Sequence, residues 1–99
     1  MIDLKPEHLE MVKEILERLL PDGFEAWAFG SRVTGTAKKF SDLDITVIGP
    51  RRLTLLEFGN LREAFSESDL PIMVDVVDYY STDPSFQRII DTKREKLAP

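Results

Sequence analysis

The chain reads as an α/β domain of the α+β kind, with one small mixed β-sheet of about three strands packed against about four helices. Three observations predict this. Apolar residues recur at helical spacing in long segments, they alternate or run together at strand spacing in three short ones, and the two kinds interleave. The order is helix, strand, strand, helix, strand, helix, with a further turn of helix between the first two strands. At 99 residues the chain fits a single domain over residues 1–99, burying roughly two-thirds of its unfolded surface.

The first helix spans Pro6 to Leu20. Leu9, Val12, Ile15, Leu16, Leu19 and Leu20 share one side, while Glu7, Glu10, Lys13, Glu14 and Glu17 lie largely on the other. Asp3 or Pro6 starts it and the Pro21-Asp22-Gly23 turn stops it. Phe24 to Phe29 follows as a short apolar strand that ends abruptly in Gly30-Ser31, and Arg32 to Ser41 reads as a turn of helix and a loop. The second strand, Asp42 to Gly49, puts Leu43, Ile45 and Val47 on one face and Asp42, Asp44 and Thr46 on the other. Leu53 to Ser68 forms a second long helix, with Leu56, Leu61, Ala64 and Phe65 expected in the core. Pro71 to Tyr80 is so continuously apolar that it is expected as a central strand covered on both faces. Ser81 to Leu97 is expected as a closing helix, capped by Ser81, Thr82 or Asp83 with Pro84 in its first turn and a solvated Asp91–Leu97 end.

Composition narrows the function. Apolar content of 42% with 31% charged residues describes a globular chain, and no run approaches a membrane span. The N-terminus has no signal-peptide pattern, and the absence of cysteine excludes disulfide and thiolate chemistry; both suit the cytoplasm. A net charge of −5 speaks against direct nucleic-acid binding. The single histidine, His8, falls on the polar side of the first helix and reads as solvated surface. Lys38, Lys39, Arg51 and Arg52 read the same way, and Tyr79 and Tyr80 as strand-end packing.

The segment Phe29 to Gly49 carries the chemistry. Asp42 and Asp44 point to the same side of a strand with Cα atoms roughly 6.6 Å apart. At an effective dielectric near 20, two unit charges ~4 Å apart cost about 4 kcal/mol, so the pair calls for a cation. Magnesium fits best, because it takes hard oxygen ligands and is completed by substrate phosphates; no histidine or cysteine nearby suggests zinc. A third carboxylate must come from another strand, where Asp75 and Asp78 lie on opposite faces. Asp75, inside the apolar run Met73–Val77, is the costlier to bury without a ligand and is the choice. Three carboxylates can bind two Mg²⁺ ions ~3.5–4 Å apart, an arrangement suited to phosphoryl or nucleotidyl displacement. Gly30 then lets the backbone approach a phosphate, its amide and that of Ser31 point at phosphate oxygens, the Ser31 hydroxyl adds a hydrogen bond, and Arg32 adds a cation.

Gly30, Ser31, Asp42 and Asp44 match the GS-x10-DxD signature of the DNA polymerase beta-like nucleotidyltransferases. The whole chain resembles the stand-alone minimal nucleotidyltransferases (MNT), often encoded beside a HEPN-domain toxin and acting as its antitoxin; Gly30–Val47 and Met73–Val77 carry the likeness. The resemblance implies the polymerase beta-like nucleotidyltransferase fold. It also implies Asp42 and Asp44 as metal ligands, with Asp75 as third ligand and base for the attacking hydroxyl. The activity implied is transfer of AMP from ATP to a tyrosine hydroxyl of the HEPN toxin, which would complete the site in a hetero-oligomer. Two alternatives are a small-molecule acceptor with an accessory subunit, and a non-catalytic module that neutralises a toxin by binding.

Overall fold

Helix α1 (Pro6–Leu19) opens on a proline and buries Val12, Ile15 and Leu16 on one stripe, as its periodicity requires. The structure is a computed structural model and describes residues 2–99. After α1 come β1 (Glu25–Phe29), α2 (Ser31–Thr34), β2 (Leu43–Ile48), α3 (Leu55–Ser66) and β3 (Val74–Asp78). A 3-10 turn (Tyr79–Ser81), α4 (Pro84–Thr92) and β4 (Glu95–Ala98) complete the described elements. The strands form one sheet in the order β3-β2-β1-β4. β1 runs antiparallel to both β2 and β4, whereas β2 and β3 are parallel, so the sheet is mixed.

The sheet has two unlike faces. Ala26, Ala28, Leu43, Ile45, Val47 and Val76 form one core with the apolar stripes of α1 and α3. On the other face Phe29, the last residue of β1, meets α4, where Phe86 packs edge-on against it at 5.8 Å; Ile90 of α4 is fully buried. Capping fixes the helix starts. Thr54 and Glu57 form a reciprocal capping box that begins α3 two residues after Leu53, and Asp83 accepts from the Phe86 amide to start α4.

Three expectations are corrected. There are four strands rather than about three, because the segment expected as the end of the closing helix leaves α4 at Lys93, whose backbone is extended (φ −154°, ψ 118°). It becomes β4, which buries Leu97 and Ala98 and sets Arg94 over the Trp27 ring at 4.5 Å. Secondly, β3 is an edge strand and not a central one; its apolar run packs on α3 through Val74 and Val76, while Asp75 on the other face is exposed. Finally, Leu56 is 72% exposed, and Phe58, Leu61 and Phe65 supply the contacts expected of it.

Candidate active site

Strand β1 delivers the Gly-Ser pair to the aspartates. Phe29, its last residue, sits opposite Asp44 of β2. Gly30 then turns the chain with φ 80° and ψ −157°, a conformation costly for any residue with a Cβ. A Cβ at this position would also run into the Asp44 carboxylate oxygen Oδ2. Gly30 is therefore needed twice, for the turn and for the space Asp44 occupies. Ser31 and Arg32 lead the four-residue helix α2, whose first amides have no intrahelical acceptor and are available to an anion. Gly35, at φ 87°, closes that helix and sends the chain into the loop before Asp42.

The sheet register gathers the carboxylates. Asp44 pairs directly with Asp75 across the parallel β2–β3 ladder, so the two side chains share a face on strands roughly 4.8 Å apart. Asp42 stands two residues before Asp44, just ahead of β2. Burial, then the charge of Asp75, then that of Asp42, push the Asp44 carboxyl from 3.8 up to about 6. Among the described residues no three His, Cys, Asp or Glu side chains are drawn close enough to clasp an ion as they stand. The donor chemistry nonetheless fits a hard divalent cation. It is all oxygen, its central carboxylate is disfavoured by its neighbours, and the glycine beside it leaves room.

Asp75 and Asp78 behave oppositely to their expected burial. Asp75 is exposed, and Asp78 is only 7% exposed. Asp78 is satisfied by accepting hydrogen bonds from the Leu53 amide at 2.7 Å and the Tyr80 amide at 3.1 Å, which tie the start of α3 to the end of β3. Asp78 is thus a structural anchor, and Asp75 faces Asp44.

Arg32 turns inward to backbone carbonyls. Its guanidinium does not lie free for a phosphate: Nε donates to the Ser41 carbonyl at 3.0 Å and Nη1 to that of Asp3 at 2.8 Å. Nη2 donates to the Lys39 and Lys38 carbonyls at 3.2 and 3.4 Å. Val33 beside it is buried, so the turn of α2 directs Arg32 inward. No sequence signal marks this, because residues 36–41 include Phe40, an apolar side chain that the structure leaves 72% exposed.

A cleft of about 550 Å³ opens between α1 and α3 around Met11, Glu14, Arg18 and Asn60. Among the described residues no helix is long and apolar enough to cross a membrane.

Comparison with known proteins shows the family and the fold. The family described as Nucleotidyltransferase domain matches residues 9–97. The chain is 52% identical over 89 residues to the probable protein adenylyltransferase MntA of Haemophilus influenzae, covering 90% of this chain and 77% of that one. A solved toxin-antitoxin structure with AMP-PNP superposes with a TM-score of 0.75 at 26% identity, covering 90% of this chain and 71% of that one. The same fold recurs, with a TM-score of 0.69 at 21% identity, in a complex of a tri-AMPylated Shewanella oneidensis HEPN toxin with its MNT antitoxin, covering 95% of this chain and 71% of that one.

Proposed function

The chain belongs to the nucleotidyltransferase domain family, and from that membership we propose that it is a Mg²⁺-dependent protein adenylyltransferase. It moves AMP from ATP to a tyrosine hydroxyl of a partner HEPN toxin and thereby acts as the antitoxin. The observation that carries this reading is the register that sets Asp44 against Asp75 on one side and beside Gly30 on the other. On this reading the amides after Gly30 would take the phosphates beside the metal-binding carboxylates.

Asp42, Asp44 and Asp75 would hold the magnesium, which supplies positive charge to the triphosphate and to the oxygens entering and leaving phosphorus. The chain's own groups do the rest. Amides at the head of α2 and the Ser31 hydroxyl hold the phosphates and orient the α-phosphorus for in-line attack. Asp75, the exposed carboxylate on the edge strand, takes the proton of the incoming tyrosine hydroxyl. A bond forms between that oxygen and the α-phosphorus, the bond to the bridging oxygen breaks, and pyrophosphate departs.

In this reading the domain over residues 1–99 provides the nucleotide half of the site and the partner provides the acceptor half, in keeping with the exposure of Asp42 and Asp75. ATP as substrate and a chain without cysteine suit the cytoplasm. The test is to incubate the chain with the HEPN partner, Mg²⁺ and α-labelled ATP, and to map the product by mass spectrometry. AMP on a partner tyrosine, lost with Asp42→Asn or Asp44→Asn, is expected. A stable complex without label transfer would instead mean a module that neutralises by binding alone.

A further inference from the structure

We propose that Arg32 is a positioning residue, whose guanidinium fixes the loop that delivers Asp42 and Asp44 instead of contacting the nucleotide. The inference rests on the reading above that these aspartates hold the metal.

The loop between α2 and β2 has little else to hold it. Thr36, Lys38, Lys39 and Phe40 are exposed, and a loop so placed is mobile unless hydrogen bonds fix it. Its internal turn closes through Ser41, whose Oγ accepts from the Lys38 amide at 2.8 Å and whose own amide donates to the Lys38 carbonyl at 3.1 Å. Arg32 grips both ends of that turn, at Lys38 and Lys39 and at Ser41, the residue bonded directly to Asp42. Its third arm reaches Asp3, and the Asp3 amide returns a bond of 2.7 Å to the Arg32 carbonyl. One side chain therefore joins the segment before α1, the phosphate turn and the approach to the aspartates.

The chemistry of this clamp requires arginine. Three carbonyls in two directions and a fourth from another segment suit a planar fork with five donors, which an ammonium with three donors at one point cannot match. Arg32 is only 7% exposed, and neutral carbonyls repay the burial of a charge poorly, so stability alone is a weak reason for it.

Calorimetry with α,β-methylene ATP, in EDTA and in Mg²⁺, tests the assignment on wild type and Arg32→Lys. Metal-free affinity should stay within about twofold, while the variant loses about tenfold or more of the tightening that Mg²⁺ brings. In turnover with Mg²⁺, KM for ATP should rise about tenfold with that lost tightening and kcat should fall as well, the pattern of a displaced metal ligand. A variant that binds the metal-free analogue much more weakly would show a phosphate contact and overturn the inference. No Mg²⁺-dependent tightening in the wild type would instead refute the metal reading. NMR on the wild type decides the point even if the variant fails to fold. The Arg32 Nε–H should exchange slowly with solvent and stay unmoved by the metal-free analogue; rapid exchange, or a shift on binding, would overturn the clamp.

Discussion

Asp44→Asn should make this protein more stable at neutral pH while abolishing its chemistry. Asp44 ionises near 3.8 in the unfolded chain but near 6 in the folded one, held up by burial and by Asp75 and Asp42. Between those values the unfolded chain has released the proton that the folded chain still holds. Stability therefore falls as pH rises through this window, and the penalty is complete above about 6. The full gap corresponds to about 3 kcal/mol, and solvent around a part-exposed carboxylate screens it to about 1–1.5 kcal/mol. Asparagine keeps the shape and removes the charge. In EDTA at neutral pH the variant should melt roughly 4–10 °C higher than wild type, with the difference shrinking towards zero near the unfolded value. Thermal melts by circular dichroism across pH, with and without Mg²⁺ and ATP, measure this directly. Wild type should regain its deficit when nucleotide and metal bind, and the variant should gain little. A variant that melts lower at neutral pH, or a difference indifferent to pH, would refute the crowding of these carboxylates.

Asp75→Asn and Asp78→Asn should part company: the first lowers transfer by about a hundredfold with little change in melting, measured by single-turnover assay. The second costs about 1–2 kcal/mol in urea unfolding with kcat retained, because an amide cannot accept from both the Leu53 and Tyr80 N–H groups with two oxygens. Gly30→Ala should lose ATP binding by calorimetry and about 1–3 kcal/mol of stability, since its methyl meets Asp44 and its φ is positive. Leu97→Ala should cost about 2–4 kcal/mol in the same unfolding assay, whereas a solvated helix end would give almost nothing.

How much of this was legible in the sequence depends on the reach of each signal. α1, β1 and β2 carry complete periodic patterns and turn residues at their ends, and they lie within a residue or so of where the sequence places them. The Gly30-Ser31 and Asp42–Asp44 pairing is likewise local, needing only one strand to end where the next begins. β4 was hidden because its reason for being a strand lies elsewhere in the chain. Lys93, Arg94, Glu95 and Lys96 look like the polar end of a helix until the open side of β1 and the Trp27 ring are in view. The position of β3 at the edge is equally non-local, for an apolar run shows that a strand buries surface but not how many neighbours it has. The surroundings of Arg32 are non-local as well: a cation after a phosphate turn suggests an anion, and only the folded loop shows the four carbonyls it reaches.

The pairing of β4 with β1 also sets an order in time. Lys96 reaches Glu25 across 71 positions of chain, whereas the β1–β2 hairpin forms within a short stretch. During synthesis, the strand bearing the Gly-Ser turn and the strand bearing the aspartates can meet early. The other side of β1 must wait for residues 95–98 to leave the ribosome. Until then β1 offers a row of unpaired N–H and C=O groups to any other strand it encounters. A chain released early would keep the whole nucleotide motif but show an open edge, becoming prey for proteases and aggregation before it could compete for the partner.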